Sequence, residues 1–252
     1  MKPSGLFSVF RIVELRQENA RTRTLIFDAP LKDATPGQYV MVWLPGIGEK
    51  PFSLSGDDPL MLTIADVGSV SHALNHLSKG DPVWVRGPLG NGFELAFRSH
   101  LLVAGGYGAA PLSFLARQAR DQHHDVSICL GARTRDDLIM VDQFEEMGCE
   151  IYIVTEDGSA GQQGLVTTAL EKAYREQIVE VIYACGPTGM LEAVAAFARA
   201  NMVFAELSFE ALIRCGIGLC GSCELPEDLC TRLDLPTKGF LVCHDGPVAI
   251  LT

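Results

Sequence analysis

The 252-residue sequence holds no run approaching the roughly 20 uninterrupted apolar residues that a membrane-spanning helix requires. Its first stretch, Met1 to Phe10, also lacks a long apolar segment followed by a small-residue cleavage site. A cytoplasmic chain without a membrane partner is expected. Positive charge is scarce too, with 20 Lys and Arg against 31 Asp and Glu and a net charge of -11. Such a field repels phosphate backbones, so nucleic acid is not an expected partner. There is no low-complexity segment or long repeat. A disulfide framework is equally out of place, because cytosolic thiols are held reduced. The eight cysteines must mean something else.

What is present suffices for real cores: 48% of the residues are hydrophobic, and the length allows two compact domains with an appendage. From Phe7 to about Phe97, short strand-like runs (VFRIVEL, TRTLIF, YVMVWL, LMLTIAD, PVWVRG) alternate with turn signals such as TPGQ and KGDP. That rhythm predicts an antiparallel β-barrel over residues 1–98, interrupted by a helical turn near Val70 to Ser78. After Arg98, apolar strands alternate with helical patterns, which predicts a doubly wound α/β domain over 99–201. Residues 202–252 are rich in Gly and Cys and look too short to bury a core, so a metal is expected to hold them. The fold class is thus α+β multidomain. His72, His76, His123 and His124 show no ligand spacing with acidic or Cys partners and read as solvated faces or turns.

Leu101 to Ala104 runs into Gly105-Gly106-Tyr107-Gly108-Ala109-Ala110-Pro111, with a helical pattern directly behind. Glycines there let backbone approach a pyrophosphate, and free N–H groups at a helix start favour its charge. A tight turn without ligand would use the same glycines. Two later loops, Glu156-Asp157-Gly158-Ser159 and Cys185-Gly186-Pro187-Thr188-Gly189-Met190, follow later strands and would share the same crevice. As a set these three loops resemble the ferredoxin-NADP reductase superfamily. The resemblance implies dinucleotide contacts at Gly105, Gly106, Gly108, Asp157, Gly158, Gly186 and Pro187. It also implies that Cys185 walls the hydride-transfer site, with a buried structural thiol as the alternative. No His or acid stands beside Cys185 in sequence to make it a nucleophile. Arg133 and Arg135 could hold a 2'-phosphate, but Asp136 and Asp137 crowd the same turn, and the resemblance decides for NAD.

Lys50-Pro51-Phe52-Ser53 resembles the flavin motif of that superfamily, though an edge strand alone would also explain the run. The resemblance assigns Lys50 to the FAD pyrophosphate, where Arg is usual, Pro51 and Phe52 to the flavin, and the Ser53 hydroxyl to its reacting edge. Lysine keeps the charge and loses the bidentate fork. Gly68-Ser69-Val70-Ser71 resembles the second phosphate site, which adds Gly68, Val70 and Ser71. Thr63, Ile64 and Ala65 correspond to further flavin contacts, with Ala65 where Arg is common.

Cys215, Cys220 and Cys223 are separated by four residues and then two, and both Cys230 and Cys243 follow. This is the plant-type spacing for a [2Fe-2S] cluster, whereas zinc modules more often pair two C-x2-C knuckles. CGIGLCGSC, VCHDGPV and GPLGNGF resemble the electron-transfer subunits of type B dihydroorotate dehydrogenases, and that resemblance selects Cys243 as the fourth ligand. It further implies FAD, a [2Fe-2S] cluster and NAD as cofactors, and an FMN-containing dihydroorotate dehydrogenase catalytic subunit as partner, two copies of each. Electrons from dihydroorotate would leave on NAD. The alternatives are a diaphorase-like subunit of a soluble hydrogenase or of a sulfide or ferredoxin:NAD(P) reductase complex, and a redox-sensing iron-sulfur module.

Overall fold

The computed structural model describes residues 6–235 and 239–251. Its first half is a closed barrel of β1 (Ser8–Asn19), β2 (Thr22–Phe27), β3 (Tyr39–Leu44), β4 (Gly48–Asp57), β5 (Leu60–Ala65) and, after the short helix α1 (Ser69–Asn75), β6 (Pro82–Leu89). The strand order is β1-β2-β5-β4-β3-β6. Period-two alternation builds the interior: in β5, Leu60, Leu62 and Ile64 are buried while Met61, Thr63 and Ala65 stay half open. The PFSLS run is an edge only along its first three residues. From Gly48 to Ser53, β4 is paired only with β3, and β5 joins from Leu54 onward. Pro51, which has no N–H to give, therefore sits where one flank needs none.

The second half alternates β7 (Ser99–Gly105), α2 (Ala109–Asp121), β8 (Asp125–Ala132), α3 (Val141–Glu146), β9 (Glu150–Thr155), β10 (Gln162–Gln163), α4 (Val166–Glu176), β11 (Val181–Cys185) and α5 (Thr188–Asn201). Helices α2 and α3 cover one face of the sheet and α4 and α5 the other. Beyond residue 201 the chain continues the sheet instead of leaving it. β12 (Phe204–Ser208) adds a parallel strand beside β11, and β13 (Val248–Leu251) closes the edge antiparallel, giving the order β10-β9-β8-β7-β11-β12-β13. The FAELS run is buried along nearly its whole length and needs a neighbour on each side.

Between these two strands lie the cysteine loops and α6 (Glu227–Leu233). The expectation of a tail without a core is corrected here. Leu225, Leu229, Leu233 and Val242 share one core with Leu191 and Ala195 of α5 and with Tyr39 and Met41 on the outer wall of the barrel. The tail borrows its core from both larger domains. A second joint is made by α2, whose Phe114 is fully buried in the barrel core. No helix among the described residues is long and apolar enough to cross a membrane.

Candidate functional site

β7 lies between β8 and β11, so the chain winds outward in both directions from its carboxyl end. Ligands of open α/β sheets sit at that switch point. A cleft of about 570 Å³ opens there, lined by Gly105, Gly106, Arg133, Asp137, Glu156, Pro187 and Glu210 among others. The glycines have distinct tasks. A Cβ on Gly108 would stand 1.9 Å from the Cys185 carbonyl oxygen, and one on Gly105 would stand 2.8 Å from both Pro187 and Met190. These two therefore let the first and last loops of the crevice touch. Gly106, at φ +53, has nothing within 4 Å of its Cβ position and leaves an open cradle on the cleft. That fits a pyrophosphate approaching the start of α2.

The structure gathers Gly105, Gly106 and Pro187 in the cleft lining, with Gly108 and Gly186 packed against them. Asp157 and Gly158 are not among the lining residues. The Asp157 carboxylate instead accepts the Ser159 hydroxyl and N–H, which hold it below the usual carboxylate range, while the Ser159 oxygen accepts the Arg135 N–H. The loop is thereby shaped from within, and Glu156 faces the cleft. Cys185 is 4% exposed under the floor. Burial, then the charge of Glu210, push its thiol up to about 12, against a hydrogen bond from Ser208. This is no nucleophile. Sequence reasoning missed Glu210 and Arg21. Arg21 reaches over from the β1–β2 turn, 3.8 Å from Asp137 and within 3.4 Å of the Tyr107 hydroxyl. Nothing in the sequence signals a side chain crossing between domains.

On the barrel, Lys50 and Ser53 are exposed on β4 and Phe52 is half-buried. The Ser53 hydroxyl makes no hydrogen bond among the described residues, and the Gly68 turn is open, with nothing within 4 Å of its Cβ position. An exposed cation, an open turn and a free hydroxyl suit a flavin nucleotide lying along this wall. The side chains at the other expected positions are largely engaged elsewhere. Ile64 and Val70 bury their side chains in the barrel core. The Ser71 oxygen accepts the Val67 and Gly68 N–H groups and donates to the Gly68 carbonyl. Thr63 is tied by 2.8 Å hydrogen bonds to Thr24 and Ser55, and Ala65 offers only a methyl group. One reading is corrected: His72 does have an acidic partner, with Asp66 Oδ2 2.8 Å from its Nδ1 and His76 one turn on. The i, i+4 spacing of His72 on α1 and His76 at its C-cap was the missed signal.

The cysteines of the tail form two pairs. Cys215 neighbours Cys220, and Cys223 neighbours Cys243, closely enough for each thiol to shift the other's proton affinity. Backbone N–H groups point at the sulfurs, from Gly218 to Cys243 at 3.2 Å, Leu219 to Cys215 at 3.4 Å and Cys243 to Cys223 at 3.4 Å. Burial raises the Cys215 thiol, but the N–H groups of Ile217, Cys220 and Leu219 prevail and bring it down to about 6. One tetrahedral zinc would draw all four sulfurs to roughly 3.8 Å of each other at the usual Zn–S length. No three of these sulfurs lie within 4.8 Å of one another; among the described residues only Asp66, His72 and His76 form such a group. Four thiolates at this spacing suit a two-iron cluster instead. Cys230 stands apart on α6, 1% exposed, its thiol raised by burial.

Tyr39 joins these parts. It lies across from Ser53 in the β3–β4 ladder, and its hydroxyl donates to the Cys243 carbonyl at 2.9 Å. Burial, and then the nearby cysteines, push that hydroxyl's pKa well up, so it stays a donor. The flavin motif and the cysteine loops therefore share one wall of the barrel.

A family model described as an oxidoreductase NAD-binding domain matches residues 102–196. A protein of Methanopyrus kandleri named as a probable dihydroorotate dehydrogenase B (NAD(+)) electron transfer subunit is 40% identical over 241 residues, covering 94% of this chain and 87% of the relative. A Pyrococcus horikoshii protein of the same name is 41% identical, covering 88% and 81%. Among solved structures, one of an NADH-dependent reduced ferredoxin-NADP oxidoreductase matches with a TM-score of 0.83 and 30% identity over 99% of this chain and 90% of the other. Phthalate dioxygenase reductase shares the fold, with a TM-score of 0.65 and 20% identity over 82% and 70%. With its barrel, its dinucleotide cleft and its paired cysteines, the chain belongs to the family of dihydroorotate dehydrogenase B electron transfer subunits.

Proposed function

We propose that this chain carries electrons from an FMN-containing subunit that oxidises dihydroorotate, through a [2Fe-2S] cluster and FAD, to NAD, in a cytoplasmic complex of two copies of each subunit that serves pyrimidine biosynthesis. The observation that carries this reading is Tyr39, which faces Ser53 across one ladder and bonds Cys243 at its other end. A flavin on β4 and a cluster on the cysteine loops would be near neighbours, as single-electron exchange requires. FAD, when bound, exchanges a hydride with nicotinamide and single electrons with a cluster.

The chain's own groups divide the work. Cys215, Cys220, Cys223 and Cys243 hold the cluster. Lys50 and the Gly68–Ser71 backbone take the FAD phosphates, Pro51 and Phe52 lie against the flavin, and Ser53 presents a hydroxyl to its reacting edge. Thr63, Ile64 and Ala65 support it through backbone. Gly105, Gly106 and Gly108 admit the NAD pyrophosphate, and Gly186 and Pro187 set the nicotinamide, with Cys185 packed beneath them. Asp157 and Gly158 shape the neighbouring loop. Asp137 facing the cleft favours a ribose hydroxyl over a 2'-phosphate.

The catalytic partner is expected to dock over the exposed Cys220 and Leu219, the latter 80% exposed. The test is reconstitution. The isolated chain is expected to oxidise NADH with artificial dyes and to make no orotate, and to gain dihydroorotate:NAD turnover only with an FMN-containing catalytic subunit. Orotate from the chain alone would refute the subunit assignment. The strong match to the ferredoxin-NADP oxidoreductase structure favours a second reading, a subunit of a ferredoxin-linked complex. Turnover restored only by a ferredoxin-linked partner would replace the first reading with the second.

A further inference from the structure

The cysteine loops are held from outside by two side chains of the barrel. The Tyr39 hydroxyl donates to the Cys243 carbonyl at 2.9 Å and lies 3.4 Å from the Gly216 carbonyl. Arg86 donates from Nη2 to the Cys215 carbonyl at 2.7 Å, while its Nε bonds the Glu49 carboxylate at 2.7 Å. Both residues are buried, at 2% and 8% exposure. One hydroxyl and one guanidinium thus reach a cysteine from each of the two pairs.

We propose that Tyr39 and Arg86 are positioning residues for the cluster, clamping the loops of Cys215 and Cys243 onto the barrel so that backbone N–H groups stay aimed at the sulfurs. This rests on the [2Fe-2S] reading above. A peptide unit is rigid, and its C=O and N–H point in opposite directions. Holding the Gly216 carbonyl on the barrel side therefore turns the Ile217 N–H away from the barrel and into the loop, where the Leu219 N–H meets the Cys215 sulfur at 3.4 Å. Gly216 makes the close approach possible. It has φ +68, and a Cβ there would stand 3.2 Å from Met41 and 3.3 Å from Leu89. The loop lies flush on the wall with no side chain between. Glu49 keeps the guanidinium neutralised and fixed in plane, a task that a lysine, with no fork, fulfils only in part.

N–H bonds to the sulfurs tune a cluster's potential and protect it. Releasing the clamp should therefore change the cluster more than the amount of cluster bound. The test uses the full chain as Tyr39→Phe, Arg86→Met and Arg86→Lys, each checked for native thermal unfolding and FAD content. Both Tyr39→Phe and Arg86→Met are expected to keep iron and sulfide, to shift the midpoint potential and g values of the reduced cluster, and to lose iron to a chelator roughly fivefold faster, the factor for one net hydrogen bond of about 1 kcal/mol. Arg86→Lys should recover part of both effects. Wild-type potentials, spectra and chelation rates in the first two variants would overturn the clamp. Wild-type protein with stoichiometric zinc and no acid-labile sulfide would instead overturn the cluster reading and take the clamp with it.

Discussion

Replacing Glu206 by Gln should stabilise the protein above neutral pH and not below about pH 5. Glu206 lies on β12 with no solvent exposure. Its Oε2 accepts the Glu94 N–H at 3.0 Å, and its Oε1 meets no partner among the described residues. Burial lifts the carboxyl from 4.5 to about 7, with the Glu94 N–H opposing and the Glu94 charge adding to the rise. In the unfolded chain the proton leaves near 4.5, and in the folded protein near 7. Between the two the folded state holds the extra proton, so stability falls as pH climbs through that window and levels off above it. The gap, at about 1.4 kcal/mol per pH unit, amounts to about 3 kcal/mol. Glutamine keeps an acceptor for the Glu94 N–H and carries no charge to desolvate. Thermal unfolding at pH 5 and pH 8 is the assay. The variant should match wild type at pH 5 and melt roughly 6–12 °C higher at pH 8, taking about 2–4 °C per kcal/mol for a chain of this size. An equal melting difference at both pH values, or none at either, would refute the placement of a titrating carboxyl there.

Three further outcomes are expected. Cys243→Ser should lose or strongly perturb the cluster, and Cys230→Ser should leave its spectrum intact at a modest cost in packing, which absorption and EPR spectra of the reduced protein will distinguish. Ser53→Ala should slow flavin reduction by NADH while FAD stays bound, because the hydroxyl makes no hydrogen bond among the described residues; rapid-mixing kinetics on FAD-loaded protein should show this, and an unchanged rate would remove Ser53 from the reacting edge. Gly108→Ala sets a methyl 1.9 Å from the Cys185 oxygen and 2.5 Å from its carbonyl carbon, both rigid backbone, and should cost about 1–3 kcal/mol or more and weaken NADH binding, measurable by thermal unfolding and titration.

The barrel and the nucleotide domain were legible because their strands obey a local rule. Alternation in Leu60–Ala65 and unbroken apolar runs such as Val181–Cys185 can be read within a few residues. The cysteine spacing was legible for the same reason. What could not be read is whatever depends on distant partners. Phe204–Ser208 contains Glu206 and looked like the start of a tail, because one of its two pairing strands lies beyond the cysteine loops. Ile64, Val70 and Ser71 carried motif positions, yet the motif says nothing of which way a side chain turns. The barrel interior takes two of them and the local cap of α1 takes the third. Arg86 shows in the sequence only as part of the PVWVRG strand-like run, and its bond to Cys215 spans 129 residues of chain.

The pairing of Ser208 with Val248 has a consequence for assembly. Residues 209–247 form an excursion whose two ends are sewn together at the edge of the sheet. Closing a loop of this length costs entropy that would otherwise fall on whatever binds inside it, and here strand pairing meets that cost beforehand. Iron and sulfide then enter a basket already closed at its base. The metal-free chain should keep β13 in place and accept a cluster late, once that strand has paired, and a cluster destroyed by oxidation could be rebuilt without unfolding either larger domain. The same stitch means that the nucleotide sheet cannot be completed until Val248–Leu251 has emerged from the ribosome.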